Sequence, residues 1–254
     1  MSEVPLWDTL SADYDRFVDW EGRLAQEMPF FEKLLAEHSV RRVLDVACGT
    51  GHHAIALAQR GYKVLGTDIS EGMVSHARQN AAVVGVTATF LQAGFGELAR
   101  SVKEPYDALL CLGNSLPSLL SEDALNGALA DMAGVLAPGG LLVVQNLNYD
   151  RVWPQRERFM PLQTYHQGDQ EWLFFRFVDF NPETLTFNMV ILHKNGTGWS
   201  YRAEATELRP IFKEDLERLL EQTGLASMDS YGDYRFSPYQ QNASSDLIFV
   251  ARKE

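Results

Sequence analysis

The sequence predicts an α/β fold in which a doubly wound, mostly parallel sheet carries a small antiparallel β insertion. Three observations predict it. Short, continuous apolar runs alternate with helical segments between residues 41 and 150. The first of these runs ends in a glycine-rich turn, Cys48-Gly49-Thr50-Gly51. After residue 150 the pattern changes to consecutive strands separated by tight turns. Strands that are apolar throughout belong to a sheet covered on both faces, and strand–helix alternation makes that sheet parallel. The 254 residues, 46% of them hydrophobic, suffice for one such domain with an embellishment.

The elements follow in order. Residues 7–38 read as a pair of amphipathic helices, with Phe30, Phe31, Leu34 and Leu35 at helical spacing. Residues 42–47 (RVLDVA) form the first strand, and residues 52–60 a helix stopped by Gly61. Residues 63–68 are the second strand. Ser70 caps a helix to about Val83, closed by Gly85. Residues 87–92 and 106–112 are the third and fourth strands. Ser121 caps a helix to Leu136, and Pro138-Gly139-Gly140 turns the chain into a fifth strand, residues 141–147. Residues 171–180, 185–194 and 199–208 read as an antiparallel meander punctuated by Asn181-Pro182 and Asn195-Gly196. A last helix runs from near Phe212 to Gly224, and residues 227–233 and 246–251 close the sheet. The expected organisation is a helical cap (1–40), a main domain (41–150 and 210–254), and a β insertion (151–209) over the substrate crevice.

Charge and composition narrow the function. The net charge of −12 opposes binding to nucleic acid. The short basic clusters, Arg41-Arg42 and Arg151, Arg156 and Arg158, read as solvated surface. Cys48 and Cys111 lie in apolar runs outside any Cys/His cluster, so we expect buried, reduced thiols and no metal. No apolar run is long enough to span a membrane, and the opening MSEVPLWDTL lacks the basic and apolar regions of a leader. A cytoplasmic protein acting on a small molecule is expected, with monomer and homo-oligomer both open.

The chemistry concentrates in Val43-Leu44-Asp45-Val46-Ala47-Cys48-Gly49-Thr50-Gly51. Glycines at the end of a first parallel strand let a ligand approach the backbone where the next helix begins. Asp68 ends the second strand, where an acid accepts both hydroxyls of a ribose. Together they make a nucleoside site. Gly49-Thr50-Gly51-His52-His53-Ala54 also fits the dinucleotide pattern G-x-G-x-x-A. Asp45 separates the two ligands: its carboxylate repels a pyrophosphate and attracts a sulfonium cofactor bearing an ammonium group.

VLDVACGTG, TDIS and APGGLLVV resemble the successive motifs of class I S-adenosylmethionine (SAM)-dependent methyltransferases. Within that class, CLGNS at residues 111–115, NYD at 148–150 and GDY at 232–234 resemble the glycine N-methyltransferase and glycine/sarcosine methyltransferase group. The resemblance implies a Rossmann-like, seven-stranded sheet of order 3-2-1-4-5-7-6 with the last strand antiparallel. It also implies SAM as cofactor. Asp45, Ala47, Cys48, Gly49 and Gly51 would hold the methionine part, and Asp68 the ribose. Ile69, Met73, Ala93, Gly94 and Phe95 would border the adenine. Leu112 would offer a carbonyl to the ammonium, Arg23 would pair with the cofactor carboxylate, and Tyr14 would close over the ligand.

Asn114, at the carboxyl end of the fourth strand, is the candidate catalytic residue, positioning a nucleophile or a substrate carbonyl. Leu147, Tyr149, Arg209 and Tyr234 are further candidates for substrate contact. His166 and His193 read as structural. Two positions depart from the group. Leu147 stands where an arginine clamps the substrate carboxylate, and Gly94 where Asn or Asp bonds the adenine amino group. The first departure argues against glycine as acceptor, because an isobutyl group makes no bidentate carboxylate bond. The expected activity is methyl transfer to N or O of another small molecule. The alternatives are a non-catalytic SAM-binding protein and an NAD-dependent oxidoreductase.

Overall fold

The computed structural model describes residues 4–254, so residues 1–3 of the expected cap lie outside the described residues. Two helices open it, α1 (Val4–Phe17) and α2 (Trp20–Glu37). Then β1 (Arg42–Val46), α3 (His52–Gln59), β2 (Lys63–Asp68), α4 (Glu71–Val83) and β3 (Thr89–Gln92) build one half of the main sheet. A short α5 (Leu98–Ser101), β4 (Tyr106–Cys111), α6 (Glu122–Val135) and β5 (Leu136–Leu147) follow. After α7 (Tyr149–Gln155) come β6 (Gln163–Gln167), β7 (Gln170–Phe180), β8 (Leu185–Asn195) and β9 (Gly198–Leu208). The chain ends with α8 (Lys213–Gln222), β10 (Leu225–Tyr231) and β11 (Asp246–Lys253).

The main sheet has seven strands in the order β3-β2-β1-β4-β5-β11-β10. Its first five strands pair in parallel, and β11 is antiparallel to both β5 and β10. With β10 as the sixth strand and β11 as the seventh, this is the expected order. Helical crossovers join the parallel strands, whereas residues 232–245 contain no helix and return the chain as an antiparallel neighbour. Successive residues of β1 point to opposite faces. Val43 joins a core with Phe30, Phe31, Leu57 and Val143, and Leu44 joins another with Leu109, Leu129, Leu216 and Phe249.

The second sheet runs β6-β7-β8-β9, all antiparallel. Its edge strand β6 is missing from the sequence reading, because QTYHQ carries only one large apolar residue and no usable alternation. One face of this sheet buries Trp172, Phe174, Met189 and Ile191 against Leu10 of α1. Val178, Leu185 and Leu208 pack around Tyr149 at the start of α7. Helix α1 in turn lies on α4, where Gly72 admits the close approach of Ser11: a Cβ there would sit 2.9 Å from Ser11 Oγ. Within the cap, α1 thus links the second sheet to α4 of the main domain.

Candidate cofactor and substrate site

A cavity of about 380 Å³ opens at the carboxyl ends of β1, β2 and β4 and is roofed by α1 and α2. Its floor is the turn after β1. Ala47 (φ 56°) and Gly49 (φ 55°) both adopt left-handed backbone there, an uncommon conformation for the alanine. The strain lets the chain leave the strand without a side chain filling the crevice. At the end of β4, Gly113 (φ 73°) and Asn114 (φ 61°) repeat the device.

Asp45 lies on the cavity wall, 2% exposed, and its Oδ2 has no hydrogen-bond partner among the described residues. Burial pushes its pKa up to about 7, and the nearby Asp68 adds to the effect. Asp68 is 8% exposed; its Oδ1 accepts the Ser70 N–H and its Oδ2 the Gly49 N–H, both at 2.9 Å. Burial raises the Asp68 pKa as well. A ligand group with several N–H donors and a positive charge would relieve Asp45, and each Asp68 oxygen keeps a lone pair for a hydroxyl. The residues present therefore fit a ribonucleoside with a nearby ammonium.

The apolar wall beyond Asp68 comes from Ile69 and Met73 on one side and Ala93, Gly94 and Phe95 on the other. A Cβ on Gly94 would approach Ile69 Cδ1 to 3.1 Å, so Ile69 occupies the space that a larger residue there would need. Tyr14 closes over the glycine turn: a Cβ on Gly49 would meet its Cε1 at 3.5 Å. Arg23, Cys48 and Leu112 also line the cavity. The Leu112 carbonyl accepts the Ser115 hydroxyl at 2.8 Å. Gly51 is the exception among the expected cofactor residues, for it does not line the cavity. It caps α3 at φ 81°, and a Cβ there would stand 2.8 Å from Ala77 Cβ and from the Phe90 ring. Its glycine serves helix–sheet packing.

The expected substrate residues are distributed differently. Asn114 lines the cavity, but its amide is engaged at both ends: Oδ1 accepts the Leu147 N–H at 3.0 Å, and Nδ2 donates to Tyr149 Oη at 2.9 Å. Leu147, Tyr149, Arg209 and Tyr234 are not on the cavity wall. Leu147 and Tyr149 pack in the cluster between the two sheets. Arg209 pairs with Glu122 at 3.7 Å, and Arg151 with Glu157 at 3.5 Å. Tyr234 is packed among Phe30 and Phe31. The spacing of a strand end does not reveal that the following side chains, here Leu147 and Tyr149, are taken up by a second sheet.

The cavity is also lined by residues that the sequence did not single out as site candidates. Trp7 and Trp20 come from the cap, His53 from the first turn of α3, and Ser115, Ser118 and Leu119 from the segment after β4. Leu208 reaches in from the end of β9. A signal existed for the helix residues, since Trp20, Arg23 and Glu27 follow one helical face. Leu208 had none.

Comparison with known proteins agrees with this geometry. Residues 43–140 match the family described as Methyltransferase domain. The chain is 31% identical over 245 residues to a glycine/sarcosine N-methyltransferase of Aphanothece halophytica, covering 95% of this chain and 87% of that protein. It is 32% identical over 223 residues to the glycine/sarcosine N-methyltransferase of Parasynechococcus marenigrum, covering 87% and 76%. Its fold matches that of the SAM-bound amino pentose methyltransferase from Micromonospora echinaspora, with a TM-score of 0.74 at 20% identity and 97% coverage of each chain. The dinucleotide alternative falls with these matches. The chain belongs to the class I SAM-dependent methyltransferases, enzymes that transfer a methyl group with SAM as cofactor.

Proposed function

We propose that this enzyme methylates a small acceptor that carries no carboxylate at the reacting end, most simply a neutral amine on a body larger than glycine. The observation that carries this reading is the cavity's cation content. Among the described residues, Arg23 is the only lysine or arginine on its wall, which the glycine turn, Trp20 and His53 also line. In this reading Arg23 holds the cofactor carboxylate, Asp45 its ammonium and Asp68 its ribose. The adenine rests between Ile69, Met73 and the 93–95 segment. No guanidinium remains for an acceptor, Leu147 is apolar, and Arg151 and Arg209 are paired with acids.

The sulfonium methyl supplied by SAM leaves from a good leaving group, so the chain's task is alignment and exclusion of water. Tyr14, Trp7 and Trp20 form an aromatic roof that performs the exclusion. Asn114 grips Tyr149 and the end of β5, and so fixes the turn that faces the acceptor. Ser115, Ser118, Leu119 and Leu208 form the mixed polar and apolar rim on which the acceptor body would rest. The solved amino pentose methyltransferase of the same fold acts, by its name, on an amino sugar, in keeping with this reading.

The test is an S-adenosylhomocysteine release assay with glycine, sarcosine and a panel of amino sugars and neutral alkyl and aryl amines. Losing a buried charged hydrogen bond costs on the order of 2–5 kcal/mol, so kcat/KM for glycine should lie at least ~30-fold below that of the best neutral amine. Glycine turnover near ~1 s⁻¹, within the ordinary enzyme range, would overturn the reading.

A further inference from the structure

Helix α2 presents Trp20, Arg23 and Glu27 toward α3. Arg23 Nε donates to Glu27 Oε1 at 2.8 Å, and Glu27 Oε2 lies 2.5 Å from His53 Nε2. Glu27 is 6% exposed and His53 5% exposed. The Arg23 guanidinium lies over the Trp20 ring, 5.2 Å from its centre, and Trp20 meets His53 edge-on at 5.6 Å. Arg23 and His53 line the cavity, whereas Glu27 does not. Burial opposes ionisation of Glu27, yet the His53 hydrogen bond and the Arg23 charge hold its carboxyl below the usual range. Burial keeps His53 neutral, so Nε2 donates to the carboxylate.

We infer that Glu27 is a positioning residue that works through Arg23, with His53 as its anchor: the chain Arg23–Glu27–His53 fixes the guanidinium as a preformed receptor for the cofactor's carboxylate. The inference rests on the proposed placement of that carboxylate at Arg23. An arginine has a long, flexible stem, and a free one would lose that freedom on each binding event. Glu27 takes Nε, the edge of the fork nearest the stem, and leaves Nη1 and Nη2 outside that bond. Those two donors match a carboxylate in bidentate fashion. Glu27 itself stays behind the wall, where it does not repel the incoming anion directly. His53 occupies the second carboxylate oxygen, which would otherwise be buried without a donor. Helices α2 and α3 are thereby tied to each other through one buried acid.

The experiment compares two ligands by calorimetry: S-adenosylhomocysteine, which carries the carboxylate, and 5′-methylthioadenosine, which lacks the amino-acid part. Glu27→Ala should weaken S-adenosylhomocysteine roughly 10- to 100-fold, a loss comparable to one charge-assisted hydrogen bond, and leave 5′-methylthioadenosine within threefold of wild type. KM for SAM should rise with kcat little changed. Glu27→Gln retains an acceptor for Nε and a donor for a neutral histidine, and should restore most of the affinity. Glu27→Met, which keeps the volume without the acceptors, should match Glu27→Ala and serves if that variant does not fold. Equal weakening of both ligands, or weakening of neither, would overturn the inference. Arg23→Ala separates the two levels. If it leaves S-adenosylhomocysteine affinity unchanged, the placement of the carboxylate fails. If it weakens binding while Glu27→Ala does not, only the positioning role fails.

Discussion

In the proposed reading Asp45 is the residue that receives the cofactor's ammonium. Its carboxyl is buried, carries an unpartnered oxygen and titrates at about 7 because of burial and the neighbouring Asp68. A raised acid pKa means that the ligand-free fold holds an extra proton between the usual carboxylate range and about 7. Stability of the ligand-free protein from this group therefore falls as pH rises through that window. Binding of an ammonium group works in the opposite sense, since it requires the ionised form. We expect the Kd of S-adenosylhomocysteine to be lowest between about pH 7 and the pKa of its own ammonium, and to climb below about 7 by as much as tenfold per unit. Calorimetry in buffers of different ionisation enthalpy should detect proton release near pH 6. Asp45→Asn should abolish both the slope and the released proton, leaving any contribution from Asp68. A flat wild-type profile would show that Asp45 does not meet the ammonium. At the same scale Asn114 illustrates how a polar side chain on a cavity wall can have its whole bonding capacity taken by structure.

At the scale of elements, the crevice depends on how closely α3 sits on the sheet. Gly51 starts that helix at φ 81°, with Ala77 of α4 and Phe90 of β3 where a Cβ would stand. Gly51→Ala therefore combines a disfavoured backbone with overpacking and should destabilise the protein by about 2 kcal/mol. Calorimetric melting should register this as a Tm lowered by roughly 4–8 °C. Because Gly51 does not line the cavity, S-adenosylhomocysteine affinity of the folded variant should stay within about threefold. A large loss of affinity with an unchanged Tm would return Gly51 to the binding surface. The cap helices are fastened to the same region by acids. Asp15 accepts from Thr50 Oγ1 at 2.5 Å, Asn80 Nδ2 at 2.9 Å and Trp20 Nε1 at 3.0 Å, and contacts His52 Nε2 at 3.1 Å. Asp8 takes a hydrogen bond from the Ser70 hydroxyl. Desolvation raises the Asp15 pKa, but its bonds to His52 and Thr50 outweigh that and leave it lowered. Its tie thus stabilises the cap above the normal carboxylate pKa and is lost as pH falls through the lowered value.

On the scale of the molecule, α1 serves two neighbours: it roofs the cavity through Trp7 and Tyr14 and covers the second sheet through Leu10. Removal of residues 1–18 should therefore cost cofactor affinity at least tenfold, lower the Tm, and expose Trp172 and Phe174, measurable as dye binding to apolar surface. Retained affinity in such a truncation would show that α1 is dispensable to the site. The sequence alone determined the sheet. Parallel strands buried on both faces must be apolar throughout, so each reads as an uninterrupted run, and its partner helix is delimited by a cap and a glycine. It also placed Asp45, Gly49 and Asp68 on one cavity wall, because they lie within a few residues of strand ends that the fold brings together. It did not reveal β6, whose polar edge needs no apolar alternation, nor the positions of Leu147, Tyr149, Arg209 and Tyr234 off the cavity wall. Those depend on the packing of the second sheet and the 232–245 loop, which local periodicity does not encode. Tertiary structure likewise decided that Leu208 reaches the rim and that Glu27 finds His53 across two helices. These are contacts between segments distant in sequence, set by how α1 packs on the second sheet and α2 on the main domain and not by the propensity of any one segment.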